Sequence, residues 1–283
     1  MHKLLLALLI TAPAFAATCE SLTGLALKGG SVTLAQTVAA GQFTPAQGNA
    51  NAFKTLPAFC RVAATLKPTA DSDIKIEVWL PIAGWNNSLQ SVGNGAWAGS
   101  IAYPAMATAL AAGFATASTD TGHVGGAGDF MIGHPEKLVD FGYRAVHEMT
   151  VAAKATIAGY YGKAPSKSYW NGCSTGGRQA LMEAQKYPED YDGILAGAPA
   201  IYASHLQAMQ VWAWTMSHPQ GNATLPVGFW NTLAVTPVFL TGLAMAGTTT
   251  ITFQGATVAT ATLAGQAIFG ANASVQLSGT YYT

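Results

Sequence analysis

The run Gly172-Cys173-Ser174-Thr175-Gly176 has the form G-x-S-x-G, and its chemistry depends on what surrounds it. Where a strand leads into such a pentapeptide and a helix leads out, the turn between them is sharp enough to lift the serine hydroxyl clear of the sheet. The glycines keep Cβ atoms out of the contact between strand and helix backbones. The positive end of the helix then favours negative charge beside the serine. The amide of Thr175 faces the place where an oxyanion would develop. Tyr169-Trp170 before the motif are strand-like, and Arg178 to Lys186 after it read as a helix that stops before Pro188. That context predicts acyl transfer with Ser174 as the nucleophile. An incidental glycine turn is the alternative, in a chain with 31 glycines.

An oxyanion needs a second donor, supplied in such folds by the loop after an earlier strand. Gly93-Asn94-Gly95-Ala96-Trp97-Ala98-Gly99 follows a strand over Ser88 to Val92, so Gly95 or Ala96 would give the N–H. Read blandly, the same glycines make a flexible turn. Asp120 and His123 stand at the end of the next strand, Phe114 to Ser118; there they contact substrate or, the favoured reading, brace the oxyanion loop. Trp97 either flanks an aromatic acyl group or serves packing. Arg144 and His147 read as a structural hydrogen-bonded set on a long helix from Asp140 to Tyr161.

The elements that must position these residues alternate. Ile74, Ile76, Val78 and Leu80 interleave with Lys75, Glu77 and Trp79, the period of a half-buried strand stopped by Pro81. Tyr103 to Ala112 reads as a helix and Gly193 to Ala196 as a short buried strand. Alternating strands and helices predict an α/β fold with a mostly parallel sheet.

Met1-His2-Lys3, the apolar run Leu4 to Ile10 and the small-residue site Ala14-Phe15-Ala16 read as a secretory signal peptide over 1–16. No later stretch is long and apolar enough to span a bilayer. The mature protein is therefore expected in the periplasm or outside the cell, where disulfides persist. Of three cysteines, Cys19 and Cys60 share the N-terminal region and are expected to pair, leaving Cys173 unpaired. Thirteen basic residues balance thirteen acidic ones, so the chain has no surplus positive charge to hold a nucleic acid. With 50% hydrophobic residues it is not disordered either.

Charged residues make up only 9% of the chain, and none at all occurs from Gly193 to Thr283. The expected organisation is a core over 17–200 and a lid-like or atypical uncharged segment over 201–283. A packed lid, a degenerate domain and a C-terminus altered by truncation or a frame change all fit that segment.

In its motifs the chain resembles the tannase/feruloyl esterase family of α/β-hydrolases. The resemblance rests on Gly93-Asn94-Gly95, on Ser118 to His123, on Asp140 to His147, on Gly172 to Arg178 and on Tyr187 to Gly193, and runs from about Cys19 to Trp230. It implies a secreted serine ester hydrolase acting on a small aromatic ester, through an acyl-enzyme, with no partner nucleic acid or membrane span. It also implies that Cys173 pairs with a cysteine directly after the catalytic histidine, and that this histidine and its aspartate lie downstream of a lid. No acidic residue follows Asp192, so a Ser, Asp, His order cannot be completed here. His205 and His218 follow Ser174 but read as ordinary polar histidines. The calcium site such a lid can carry needs carboxylates that the segment lacks, so no cofactor and no metal ligands are expected. A non-catalytic truncated relative or a secreted aromatic-ligand binding protein is the rival reading, and peptidase or acyltransferase chemistry on the same elbow is another.

Overall fold

The computed structural model describes residues 17–202 except 47–48, then 204–206, 208 and 210–211, and the backbone of 244–253, 256–266 and 277–278. The expected signal peptide and His218 lie outside the described residues. The chain divides into two units, with the boundary between Ile201 and Tyr202.

The first unit is built on an eight-stranded sheet of β1 (Ala26–Leu27), β2 (Gly30–Val38), β3 (Phe59–Leu66), β4 (Ile74–Pro81), β5 (Ser88–Val92), β6 (Ala115–Thr119), β7 (Lys167–Cys173) and β8 (Gly193–Gly197). Their order is β1-β2-β3-β4-β6-β5-β7-β8. The α/β-hydrolase fold stands, but the sheet is mixed rather than mostly parallel. β6, β5, β7 and β8 are parallel, while β1 to β4 form an antiparallel meander joined to β6. The parallel half carries the site, because its strands all end on the same side.

Helices cover both faces. α3 (Ala145–Tyr161) buries Val146, Met149, Ala153 and Ile157 against Ile74, Ile76, Val78 and Leu80. α1 (Tyr103–Ala111) sets Met106 and Leu110 against Phe59, Trp79 and Val92 on the other face. β4 is therefore not half-buried: only Lys75 is exposed along it. Glu77 is tolerated there because Arg61 grips it with two N–H groups while Trp79 Nε1 and Tyr103 Oη donate to it. The disulfide Cys19–Cys60 ties the first helical turn (Cys19–Gly24) to β3.

The long helix does not run evenly from Asp140. Asp140–Arg144 is a π-turn, preceded by the short α2 (Pro135–Val139), and α3 starts at Ala145. α4 (Thr175–Lys186) starts three residues earlier than expected. In the second unit β9 (Ala244–Phe253) pairs antiparallel with β10 (Ala256–Gln266) and β11 (Leu277–Ser278). No helix among the described residues is long and apolar enough to cross a membrane.

Candidate active site

Ser174 sits between the last residue of β7 and the first of α4, with φ 60° and ψ −116°. A non-glycine residue takes such a conformation only where the surroundings over-determine it. Gly172 and Gly177 do so here. A Cβ at Gly172 would lie 2.6 Å from the carbonyl carbon of Gly176 and closer still to its oxygen. One at Gly177 would lie 2.8 Å from Pro199 Cα and closer to Gly197 O. Strand, turn and helix thus approach at backbone contact, and Ser174 N–H donates to Gly197 O at 3.0 Å. Ser174 itself is exposed.

The loop after β5 is pinned to α4. Gly176 N–H donates to Asn94 O at 2.8 Å, Asn94 N–H to Gln179 Oε1 at 3.1 Å, and Thr175 Oγ1 to Ala96 O at 2.9 Å. Asn94 Nδ2 donates to the carbonyls of Ser100 and Thr119, holding the loop in shape. No hydrogen bond among the described residues uses the N–H of Gly95, Ala96 or Thr175. As the first residue of α4, Thr175 carries an amide that the helix itself leaves unpaired. Ala96 in this loop has φ 47°, strained like Ser174. Unpaired N–H groups thus occur both in this loop and at the start of α4, which the Gly176–Asn94 and Thr175–Ala96 bonds hold against each other.

Of Asp120 and His123, only His123 bonds to the Gly93–Gly99 loop; Asp120 holds its own turn to β4. Asp120 Oδ1 accepts from the N–H groups of Lys75 and Gly122. His123 Nε2 lies 2.8 Å from Trp97 O, and its ring stacks on Phe130 at 3.7 Å. Trp97 stacks on Phe141, whose ring also lies under Arg178. Arg178 donates to Gly142 O and Phe141 O, carbonyls of the π-turn, so α4 and that turn are locked together. Arg144 pairs with Asp140 and Glu136, and His147 with Asp190. Each described histidine of the first unit is thus engaged away from Ser174: His123 with Trp97, His134 with Asp71, His147 with Asp190. His205, in the second unit, lies 3.4 Å from Ser204 Oγ. Cys173 is exposed and free. Where the oxyanion loop ends, Gly99 and Ser100 join Phe53, Ile101, Tyr103 and Val124 in lining a cleft of about 970 Å³.

Burial pushes the Asp120 carboxyl up to about 7, against the pull of the Gly122 and Lys75 amides. A carboxyl raised in the folded state contributes its full stability below its unfolded value, near 4, and loses it as pH rises through the folded value. Asp120→Asn retains an acceptor for both amides and removes this loss. It is expected to gain progressively on the parent between pH 4 and 7, with no further gain above. Urea midpoints at pH 4.5, 6 and 8 measure it, and parallel profiles would refute it.

The family model described as "Tannase and feruloyl esterase" matches residues 60–227. An uncharacterized esterase of Xanthomonas campestris is 43% identical over 209 residues, 73% of this chain and 36% of the relative. A probable feruloyl esterase B-1 of Aspergillus flavus is 39% identical over 173 residues, 61% of this chain and 33% of the relative. The chain thus spans about a third of the length of these curated relatives. The crystal structure of feruloyl esterase B from Aspergillus oryzae superposes with TM-score 0.68 at 33% identity, covering 76% of this chain and 43% of that one.

Proposed function

Because the chain belongs to the tannase and feruloyl esterase family, we propose that it serves the hydrolysis of esters of aromatic acids such as ferulate or gallate, with Ser174 as the nucleophile. The observation that carries this is the strained elbow at Ser174 with unspent amides at Thr175 and Gly95 beside it. Ser174 Oγ attacks the ester carbonyl, and the oxygen that gains negative charge lies between those amides. The alcohol leaves with the proton of the Ser174 hydroxyl as the acyl-enzyme forms, and water then releases the acid and restores the hydroxyl. The cleft at the end of the oxyanion loop offers an apolar seat for part of the ester.

A general base and its acidic partner are not identifiable among the residues of this chain. No carboxylate follows Asp192, and the histidines of the first unit are spoken for. The same fact favours a second reading, an aromatic-ligand binding protein on the same scaffold. Export to the periplasm or beyond is part of the proposal, supported by the N-terminal apolar run and by a disulfide.

Purified residues 17–283 are to be assayed on methyl ferulate and methyl gallate beside Ser174→Ala. A serine without its base retains only binding and oxyanion effects, about 10³–10⁴-fold over water in a serine protease. The expected result is slow hydrolysis that Ser174→Ala reduces. Fast turnover abolished by that substitution would reveal a base within the chain, with His205 and His218 the first to replace. Turnover indifferent to it would overturn Ser174 as nucleophile. Tight ferulate binding without any turnover would favour the binding-protein reading.

A further inference from the structure

Behind the elbow, α4 buries a carboxyl that the site does not use. Glu183 is completely buried, and neither of its carboxyl oxygens meets a hydrogen-bond donor among the described residues. An ionised carboxylate so placed would leave a charge without solvent or partner, which costs several kcal/mol. Its neighbours do not relieve it. Asp190, itself buried, repels a charge on Glu183, and Lys154 gives partial compensation while its ammonium donates to Asp190 O. From α3, His147 Nδ1 lies 2.7 Å from Asp190 Oδ2, and Tyr187 stacks on the His147 ring at 3.9 Å. Tyr191 Oη meets Thr150 Oγ1. Asp190 and Lys154 are thus the charged groups that bear directly on Glu183, and His147 faces Asp190.

We propose that Glu183 is a positioning residue that retains its proton and donates it to the Asp190 carboxylate, completing a His147–Asp190–Glu183 latch that clamps α4 onto α3. A neutral carboxylic acid is both a donor and the form that burial favours, so one proton removes the orphaned charge and joins two carboxyls that would otherwise repel. Burial, with Asp190 second, pushes the Glu183 carboxyl far above the carboxylate range, to about 9. The latch matters to the site because Glu183, Gln179 and Gly176 lie on one face of α4 at helical spacing. Gln179 holds the Asn94 side chain of the oxyanion loop, and Gly176 holds the Asn94 carbonyl. A shift of α4 at Glu183 is thus passed to both donors of the elbow. That consequence rests on Ser174 being the nucleophile; the protonation itself does not.

The test uses Glu183→Gln, which mimics the neutral acid, and Glu183→Leu, which removes the donor. Glu183 contributes its full stability below about pH 4.5, and the parent loses it as pH rises toward 9. Asp120 is spent above pH 7, so the slope between pH 7 and 9 belongs to Glu183. The thermal midpoint of Glu183→Gln should pull ahead of the parent by several degrees over that interval, while Glu183→Leu stays below Glu183→Gln throughout. Cys173, free and exposed next to Ser174, reports on the elbow without any esterase assay. Its labelling rate by a thiol reagent, taken as the ratio of parent to Glu183→Gln, should rise severalfold between pH 7 and 9. Parallel melting profiles for parent and Glu183→Gln would overturn the shared proton. Diverging melting profiles with a constant labelling ratio would overturn the link from latch to elbow. Loss of the Ser174 dependence in the ester assay would refute the functional reading and leave both measurements interpretable.

Discussion

Gly172→Ala will cost the fold about 3 kcal/mol or more and remove whatever ester hydrolysis depends on Ser174. The new Cβ meets the carbonyl carbon, oxygen and Cα of Gly176, 2.8 Å from the last, and all of these are backbone atoms that cannot rotate away. Either α4 lifts off β7 or the turn at Ser174 opens, and each outcome also breaks the contact between Gly176 and the oxyanion loop. Insertion of one methyl into a packed core costs 1–3 kcal/mol where side chains can adjust; here none can. Gly126→Ala is the control, since a Cβ there meets nothing within 4 Å. It should stay within about 0.5 kcal/mol of the parent. Urea unfolding of both variants decides the matter, and equal stability of the two would mean that the elbow is looser than its backbone contacts require.

The same contacts explain why the start of α4 was harder to read than its end. Gly176 and Gly177 are poor helix formers, so propensity delays the helix to Arg178. Close approach to Gly93 and to Pro199 demands glycine, and that demand overrides propensity. The π-turn at Asp140–Arg144 has no signature in hydrophobic periodicity, because its cause is distant: Arg178 collects the carbonyls that the widened turn frees. Alternation in β4 was legible, but not the burial of both its faces. Glu77 and Trp79 look outward by period, and partners as far off as Arg61 and Tyr103, 16 and 26 positions away, with Trp79 itself, make an inward carboxylate tolerable. The antiparallel β2 has Val32, Leu34 and Val38 at alternating positions, but Gln36 interrupts that alternation and the intervening residues are Ser, Thr and Ala, so the strand is weakly marked.

At the site, residue type and order sufficed for the elbow and its loop, since both depend on glycines at short spacing. The place of Asp120 at a strand end was legible, but not that it holds Lys75 and Gly122 rather than the oxyanion loop, nor its raised carboxyl, which burial creates. Glu183 gave no warning, for a glutamate in a helix next to Lys186 reads as solvated. The available signal was its face: at helical spacing it follows Gly176, Gln179 and Ala180, small or amide residues suited to a crowded interface.

Removing the Cys19–Cys60 bond by a double substitution to alanine should cost about 3–4 kcal/mol, the largest effect expected from any change outside the elbow. The bond closes a loop of sequence separation 41, and loop closure on that scale restricts the unfolded chain by about that much. Local packing adds to the cost, because Cys60 is completely buried in β3 and Cys19 nearly so. Between them they anchor the N-terminal turn, whose Leu22 joins the core under α3. The double variant should unfold at distinctly lower urea, and a reductant should lower the parent's midpoint while leaving the variant's unchanged. Cys173→Ser, by contrast, alters an exposed thiol with no bonded partner in this chain and should leave stability within about 0.5 kcal/mol. Peptide mapping without reductant gives the independent check. A linkage from Cys173 to Cys60 would overturn the pairing, and with it the account of the elbow as free of covalent restraint in these 283 residues.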